Sequence, residues 1–253
     1  MMLSSFGGTD TGRSRPHNED AFLALDAYSL YAVADGIGGY EGGEVASRMA
    51  IETLLEVVPD MLGQRGRTPP AEFSDQAHRE LAILRYAVYV ANRRIYDSGK
   101  GTPSLARMGT TLTALLILNG FAFLAHVGDS RAYCIRRGRL EQLTQDHSLV
   151  AEQIRAGTLR PEQARISSYR HVITRALGTE EQTHPDVASI AVQKDDIFLL
   201  CTDGLTEMVS DNEIVGILSI SEPRAVVKKL IDAANKAGGV DNITAVIVQV
   251  QEV

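Results

Sequence analysis

The sequence predicts an α+β fold in which two antiparallel β-sheets pack face to face and α-helices flank both sides, in α-β-β-α layers. Short apolar runs rich in β-branched and aromatic residues follow one another across tight turns, which is typical of antiparallel strands. These runs outnumber the strands that one sheet comfortably holds. Other stretches carry apolar residues at helical spacing. Two packed sheets with amphipathic helices outside bury all of these faces.

The predicted elements begin with a hairpin and then become helical. We expect strands over 20–26 and 30–35, a helix carrying the apolar positions from Val45 to Val57, and a second helix carrying those from Ala77 to Ile95. The second half returns to strands, and a third helix is expected over 222–236. The expected strands there are 111–118, 121–127, 130–136, 139–143, 187–192, 197–202 and 243–250.

The turn signals decide how the longest apolar region is interpreted. Asn119-Gly120 lies in the middle of the apolar residues 111–127 and strongly favours a two-residue hairpin turn. The region is therefore predicted to form two strands rather than a membrane-spanning helix.

Composition limits the classes of protein that fit. At 253 residues and 44% hydrophobic, the chain is long enough for one large core, so we expect a single domain over 1–253. A net charge of -7 argues against nucleic acid or an anionic membrane as a partner. The only cysteines, Cys134 and Cys201, lie in apolar runs, which excludes a disulfide framework. We expect a cytoplasmic monomer.

Acidic residues recur where the predicted strands end. Asp35 and Asp203 each end an apolar run and precede glycine, Asp129 follows Gly128, and Asp241 precedes the last strand. Two such carboxylates about 4 Å apart would repel by roughly 4 kcal/mol at an effective dielectric near 20. Bound divalent cations resolve this repulsion. A set of oxygen ligands alone suits Mg²⁺ or Mn²⁺ rather than zinc, and it comprises Glu19, Asp20, Asp35, Asp129, Asp203 and Asp241.

Other phosphate chemistries lack their residues. The positions six residues after the two cysteines are Leu140 and Glu207, so the arginine of a thiol-dependent phosphatase is missing. No P-loop, nucleophile elbow or His-Glu-x-x-His segment occurs. Arg15 instead lies close to the acids in sequence, where its guanidinium can grip phosphate oxygens. This set predicts direct attack by a metal-activated water, with no covalent enzyme intermediate.

Together these segments resemble the metal-dependent protein phosphatase family (PPM, protein phosphatase 2C type), in its short bacterial form. The resemblance covers nearly the whole chain, and the joint order of the motifs is very specific. They are Thr9 to Arg15, Asn18-Glu19-Asp20, Ala34-Asp35-Gly36 with Gly38-Gly39, Met108 to Thr111, Val127 to Tyr133, Thr144 to Ser148, Ile173 to Gly178, Thr202 to Leu205, and Asp241 to Thr244.

The resemblance implies a serine/threonine phosphoprotein phosphatase that holds two Mn²⁺ or Mg²⁺ ions, with a third, weaker one. It implies that Asp35 bridges the ions, that Gly36 binds one through its carbonyl, and that Asp203 and Asp241 bind the other. It assigns Arg15 to the substrate phosphate, Asp20 to an ion through water, and Asp129 to the third ion. A cognate Ser/Thr kinase is a further expectation from the resemblance.

One position departs from animal members of the family. They carry a histidine, thought to protonate the leaving group, where this chain has Ile37. Bacterial members also tend to have an apolar residue there, which is compatible with activity. The general acid is thus left open, and by residue type alone His126, His147 and His171 are candidates.

A flap segment is expected at about 146–175, where the family carries a mobile flap beside the cleft. Five arginines punctuate it at intervals of five residues, and either a solvated basic face or contact with a phosphorylated segment explains them. On the second interpretation, Arg165 and Arg170 bind substrate.

Two other functions remain open from the residues. A pseudophosphatase would keep this fold as a binding or sensing module, but it should lack ligands. A two-metal nuclease or a small-molecule phosphoesterase also uses clustered acids, although the acidic balance disfavours the nuclease.

Overall fold

Two antiparallel sheets form the centre of the protein, in a computed structural model that describes residues 1–38, 42–63, 68–75, 77–164, 167–218 and 222–252. The first sheet has the strand order β1 (Met2–Asp10), β11 (Ile243–Glu252), β10 (Ile197–Cys201), β7 (Arg131–Arg136) and β8 (Arg139–Gln142). The second has the order β2 (Asp20–Leu25), β3 (Leu30–Ile37), β5 (Leu112–Leu118), β6 (Phe121–Val127) and β9 (Asp186–Ala191), and the short β4 (Gly109–Thr110) pairs with β3. All nine predicted strands are confirmed, each end within two residues.

Successive side chains of the central strands point to opposite faces, and those on one face fill the core between the two sheets. In β3, Tyr31 and Val33 face the other sheet, while Ala32 faces the helices. In β10, Phe198 packs into the same intersheet core, and all four side chains are fully buried. Burying one such large apolar side chain contributes about 1.5–3 kcal/mol. The strands are therefore apolar on both faces, because both faces are covered.

Helices cover the outer face of each sheet. The helices α1 (Gly42–Gly63) and α2 (Arg79–Gly101) pack on the second sheet. The helices α6 (Asp211–Leu218) and α7 (Pro223–Lys236) cover the first. At the start of α7, the Glu222 side chain accepts hydrogen bonds from the amides of Arg224 and Ala225. The three predicted helices and the predicted layers are confirmed.

Several elements were not predicted from the sequence. Strand β1 pairs with β11 along its whole length, yet its serines and glycines give no clear apolar alternation. Its glycines are needed for packing, because the ring of Phe22 occupies the space that a side chain on Gly7 would need. The helices α3 (Leu149–Arg155), α4 (Pro161–Ala164), α5 (Asp203–Thr206) and α6 are too short to show a helical period.

The hairpin predicted at Asn119-Gly120 is confirmed. Asn119 and Gly120 have φ values of 53° and 80°, the left-handed conformations that such a two-residue turn requires. Strands β5 and β6 pair from Leu112 with Val127 to Leu118 with Phe121. Within the described residues, no helix has the length and apolar character needed to cross a membrane.

Candidate metal centre

Five aspartates from remote parts of the chain gather where the two sheets end. Asp20 begins β2 and is paired in register with Asp35 of β3. Asp203 and Asp241 lie within two residues of the adjoining ends of β10 and β11, and Asp129 follows β6. The charge on Asp35 interacts with those on the other four. Five of the six predicted acids therefore form one group, while the sixth, Glu19, lines the pocket described below, and their roles as metal ligands stay predictions.

The environment of these acids opposes ionisation. Burial, followed by the charges of Asp203 and Asp241, raises the pKa of Asp20 to about 7, although hydrogen bonds act in the other direction. Burial also raises the pKa of Asp203 to about 7. Burial and neighbouring carboxylates raise the pKa values of Asp35 and Asp129 well above the ordinary range. The protein alone therefore does not balance the charge of this cluster.

Three oxygens in the cluster show that cations fit it. Asp20 Oδ1, Asp129 Oδ1 and Asp203 Oδ1 are buried and find no hydrogen-bond donor within the described part of the chain. A buried carboxylate oxygen without a partner is costly. Oxygen ligands of this kind are what Mg²⁺ and Mn²⁺ prefer. The donor set and its burial thus suit divalent ions.

The two carboxylate oxygens of Asp20 have different surroundings. Its Oδ2 accepts hydrogen bonds from Thr202 Oγ1 at 2.9 Å and from Thr244 Oγ1 at 2.6 Å. Thr244 Oγ1 also lies 2.7 Å from Thr9 Oγ1, which extends the chain of hydroxyls. The other oxygen, Oδ1, is the unpartnered one. The threonines therefore fix the carboxyl group and leave its other oxygen free to interact with an ion or its water.

The peptide of Gly36 lies in a space that admits no side chain. A Cβ atom there would lie 2.6 Å from the carbonyl oxygen of Glu19 and would also overlap that of Gly43. The preceding peptide is anchored, since Asp35 N donates to Thr111 Oγ1 and Thr111 N donates to Asp35 O, both at 2.9 Å. Glycine is thus required beside Asp35, as expected for close backbone approach to an ion.

Arg15 contacts one of the predicted ligands. Its Nη2 donates to Asp241 Oδ2 at 2.7 Å, and the two side chains are 54% and 26% exposed. The hydrogen bond to Asp241 raises the pKa of Arg15, while partial burial opposes it. The guanidinium therefore lies at the mouth of the centre with one side open to solvent.

A pocket of about 280 Å³ opens above the acids. It is lined by Arg15, Pro16, His17, Glu19, Asp35, Gly36, Asp241 and Asn242. A pocket of about 520 Å³ lies at the opposite end of the first sheet, around the β7–β8 turn, away from the five acids. Because the smaller pocket contains Arg15 and two of the clustered aspartates, Asp35 and Asp241, we take it as the functional one.

Asn242 is a structural member of the centre to which the sequence assigned no role. Its Oδ1 accepts from the Glu19 amide at 2.8 Å, and its Nδ2 donates to the carbonyls of Thr11 and His17, both at 2.9 Å. It thereby ties the segment that carries Arg15 to the end of β11. The sequence signal that could have identified Asn242 was its position directly after Asp241.

The three candidate histidines differ in their surroundings. His126 and His147 are buried and hydrogen-bonded inside the protein. His171 Nδ1 lies 3.0 Å from Glu207 Oε1, and ligand atoms of His171, Asp203 and Glu207 all lie within 4.8 Å of one another. Only His171 of the three is therefore placed beside one of the clustered acids.

The flap arginines are partly used in structural contacts. Arg155 Nη1 donates to the carbonyl of Asp146 at 3.2 Å, and Arg175 Nη1 donates to Asp186 Oδ1 at 3.0 Å. Arg170 lies on the exposed surface, between Tyr169 and His171. Arg165 falls outside the described residues. The predicted substrate contacts of Arg165 and Arg170 stay predictions.

The chain is similar to known proteins in both sequence and structure, and these similarities agree. A family model described as protein phosphatase 2C matches residues 8–244. Protein phosphatase PhpP of Streptococcus pneumoniae is 34% identical over 248 residues, which cover 96% of each protein. The crystal structure of the Mycobacterium tuberculosis serine/threonine phosphatase PstP/Ppp has a TM-score of 0.87 and 34% identity and matches all of both chains.

A further solved structure contains metal. It is the catalytic domain of serine/threonine protein phosphatase PstP in complex with two manganese ions, with a TM-score of 0.84, 35% identity and 99% of each chain covered. All five clustered aspartates lie within the residues matched by the family model.

Proposed function

The chain belongs to the protein phosphatase 2C family and is a metal-dependent serine/threonine protein phosphatase, and we propose that water attacks the phosphate monoester directly, without a covalent enzyme intermediate. The observation that carries this proposal is the group of clustered aspartates, three of whose carboxylate oxygens are buried and unpartnered within the described residues. Two manganese ions are bound in the related PstP structure, and Mn²⁺ or Mg²⁺ suits the oxygen donors here.

Each ligand has a proposed role. Asp35 would bridge two ions, the Gly36 carbonyl would bind one of them, and Asp203 and Asp241 would bind the other. Asp20 would act through water, in agreement with the way that two threonines hold one of its oxygens. Asp129 would hold a weaker third ion together with Asp203. Bound divalent ions supply an activated water and stabilise negative charge on the phosphate.

Arg15 is proposed to bind the phosphate. Its guanidinium reaches the mouth of the pocket and contacts a single carboxylate oxygen of Asp241 in this structure. A phosphate dianion offers a bidentate, charge-assisted partner for the same donors. Asn242 keeps the Arg15 segment in place through the carbonyls of Thr11 and His17. The chain's own contribution is thus to orient the phosphate over the acids.

Substrates are phosphorylated proteins, as the names of the relatives indicate. We propose that residues 1–253 act as one catalytic domain, with Arg165 and Arg170 of the flap guiding the phosphorylated segment. A cognate Ser/Thr kinase, a monomeric state and a cytoplasmic location are also proposals, supported by the resemblance and by the composition. A pseudophosphatase should have lost ligands, whereas this chain keeps Arg15, Asp35, Asp203 and Asp241.

The proposal is tested by hydrolysis of phosphothreonine and phosphotyrosine peptides with and without chelator. We expect phosphothreonine to be cleaved only when Mn²⁺ or Mg²⁺ is present, and Asp203→Asn to be nearly inactive and to bind less Mn²⁺ in calorimetry. Asp232→Asn on the exposed surface of α7 is the matched control and should behave as wild type. Turnover that resists chelator would overturn the mechanism, and Mn²⁺ binding without any turnover would favour a pseudophosphatase.

A further inference from the structure

His147 forms two hydrogen bonds with a single residue next to the metal centre. Its backbone N–H donates to the carbonyl of Gly128 at 2.7 Å, and the Gly128 N–H donates to His147 Nδ1 at 3.1 Å. His147 is fully buried. These paired contacts fix the peptide that directly precedes Asp129.

The remaining ring nitrogen sets the orientation of the imidazole. Since Nδ1 accepts from an amide, the ring proton is on Nε2, which donates to Asp186 Oδ2 at 3.1 Å. The other oxygen of Asp186 accepts from Arg175 Nη1 at 3.0 Å. Burial lowers the pKa of His147, which favours the neutral ring that can accept at Nδ1. Asp186 therefore holds the ring in the tautomer that Gly128 requires.

The turn at Gly128 leaves little freedom on its other side. Gly128 has a φ of 111°, and a Cβ atom there would lie 3.1 Å from Thr111 Cα and closer still to the Thr111 side chain. Ser130 Oγ lies 2.7 Å from Thr111 Oγ1. The neighbours of Asp129 in the chain are thus both held, Gly128 by His147 and Ser130 by Thr111, and Asp129 Oδ1 is one of the unpartnered buried oxygens.

The same histidine joins the two ends of the flap. Its carbonyl accepts from the amide of Thr174 at 2.8 Å, and the next residues continue the pairing, with Leu149 N donating to the carbonyl of Val172 at 2.8 Å. An isolated bridge between Ser148 and Ile173 lies between these bonds. Both ends of the segment 146–175 are therefore connected to the Asp129 turn through one residue.

We infer that His147 is a positioning residue for Asp129, which sets this carboxylate for a third divalent ion and links its position to the base of the flap. This inference rests on the proposed function, in which Asp129 holds the weaker ion. Outer contacts of this kind typically change metal affinity by roughly 10-fold to 100-fold when they are removed.

Two substitutions separate the contacts of the ring. In His147→Asn the amide oxygen occupies the position of Nδ1 and can still accept from Gly128. In His147→Gln the amide nitrogen occupies the position of Nε2 and can still reach Asp186, but the acceptor for Gly128 is lost. Asp186→Asn, at a partly exposed position, weakens the orientation of the ring and the ion pair with Arg175 but leaves the acceptor for Gly128 in place.

The test is calorimetric titration of each metal-free variant with Mn²⁺. We expect the weakest binding step to become roughly 10-fold to 100-fold weaker in His147→Gln, to stay within about threefold of wild type in His147→Asn, and to weaken less in Asp186→Asn than in His147→Gln. The tighter steps should be unchanged in all three. Asp129→Asn is the reference and should abolish the weakest step.

The outcomes separate the inference from the function. If His147→Gln and His147→Asn bind the weakest ion equally well while Asp129→Asn has lost it, the inference is overturned and the assignment of Asp129 is kept. If Asp129→Asn keeps every binding step, the proposed third site itself is wrong. Thermal unfolding in chelator shows whether each variant is folded, and Asp186→Asn gives the answer if both His147 variants unfold.

Discussion

Asp20 and Asp35 are directly opposite each other on the neighbouring strands β2 and β3, in register within one antiparallel ladder. Directly opposed like charges destabilise a strand pair. Asp20 is buried and Asp35 is half-buried, and desolvation together with neighbouring acids raises the pKa values of both carboxyl groups. The fold therefore places charge repulsion at a site where bound cations relieve it, so stability and metal binding should be linked.

Without metal, the stability of the protein should decrease as the pH rises. The pKa of Asp203, raised by burial and by Asp241 from 3.8 to about 7, means that the folded state holds this proton more tightly than the unfolded chain does. The resulting stability is fully present below about pH 4 and is lost as the pH rises through about 7. We expect the free energy of unfolding in urea and chelator to fall by a few kcal/mol between about pH 5 and 8.

Asp203→Asn is the matched comparison for this pH dependence, because its side chain stays neutral. The variant should be more stable than wild type at pH 8 without metal, and this advantage should shrink toward pH 5. Saturating Mn²⁺ should reverse the order at pH 8. If the free energy of unfolding changes with pH equally in the two proteins, the pH dependence does not come from Asp203.

The hydroxyl of Thr244 should support metal binding through Asp20. Thr244→Val removes the 2.6 Å hydrogen bond to Asp20 Oδ2 while keeping a similar side-chain volume. We expect Mn²⁺ affinity, measured by calorimetry, to fall by roughly tenfold. Thr244→Ser keeps the hydroxyl and should restore most of the affinity, and equal losses in both variants would point to packing instead.

Arg15 should act on the substrate rather than on the ions. Arg15→Lys keeps the charge but loses the planar fork, so we expect kcat/KM for a phosphothreonine peptide to fall roughly tenfold or more. Inhibition by inorganic phosphate should weaken, while Mn²⁺ affinity changes little. Arg13→Lys, two residues earlier in the same segment, is the control. If Arg15→Lys mainly weakens Mn²⁺ binding, its ion pair with Asp241 would be its main role.

Charge reversal at Arg170 should distinguish large substrates from small ones. A flap arginine that guides a phosphorylated segment would contact the peptide and not the phosphate alone. We expect Arg170→Glu to lower kcat/KM for a phosphopeptide several-fold more than for a small aryl phosphate. Arg137→Glu, in the β7–β8 turn at the far end of the sheet, should affect neither substrate. If Arg170→Glu lowers kcat/KM equally for both substrates, Arg170 does not guide the phosphorylated segment.

The elements with strong local signals were predictable without a structure. Alternating or continuously apolar runs such as 121–127 carry the pattern of a strand in their own residues, and Asn119-Gly120 specified its own turn. Strand β1 shows the limit, since Gly7 is chosen for the ring of Phe22, a residue of another strand. Its pairing with β11 depends on contacts more than two hundred residues away.

The residue types that carry the chemistry could be identified from the sequence alone, because a carboxylate remains a metal ligand and a guanidinium remains a cation and donor wherever the chain places them. Asp35, Asp203 and Asp241 were identifiable from their positions at the ends of apolar runs. The environment of each group, in contrast, depends on how the chain folds. That Thr244 holds one oxygen of Asp20, and that His147 holds Gly128, follows from distances between remote segments, which no local pattern encodes.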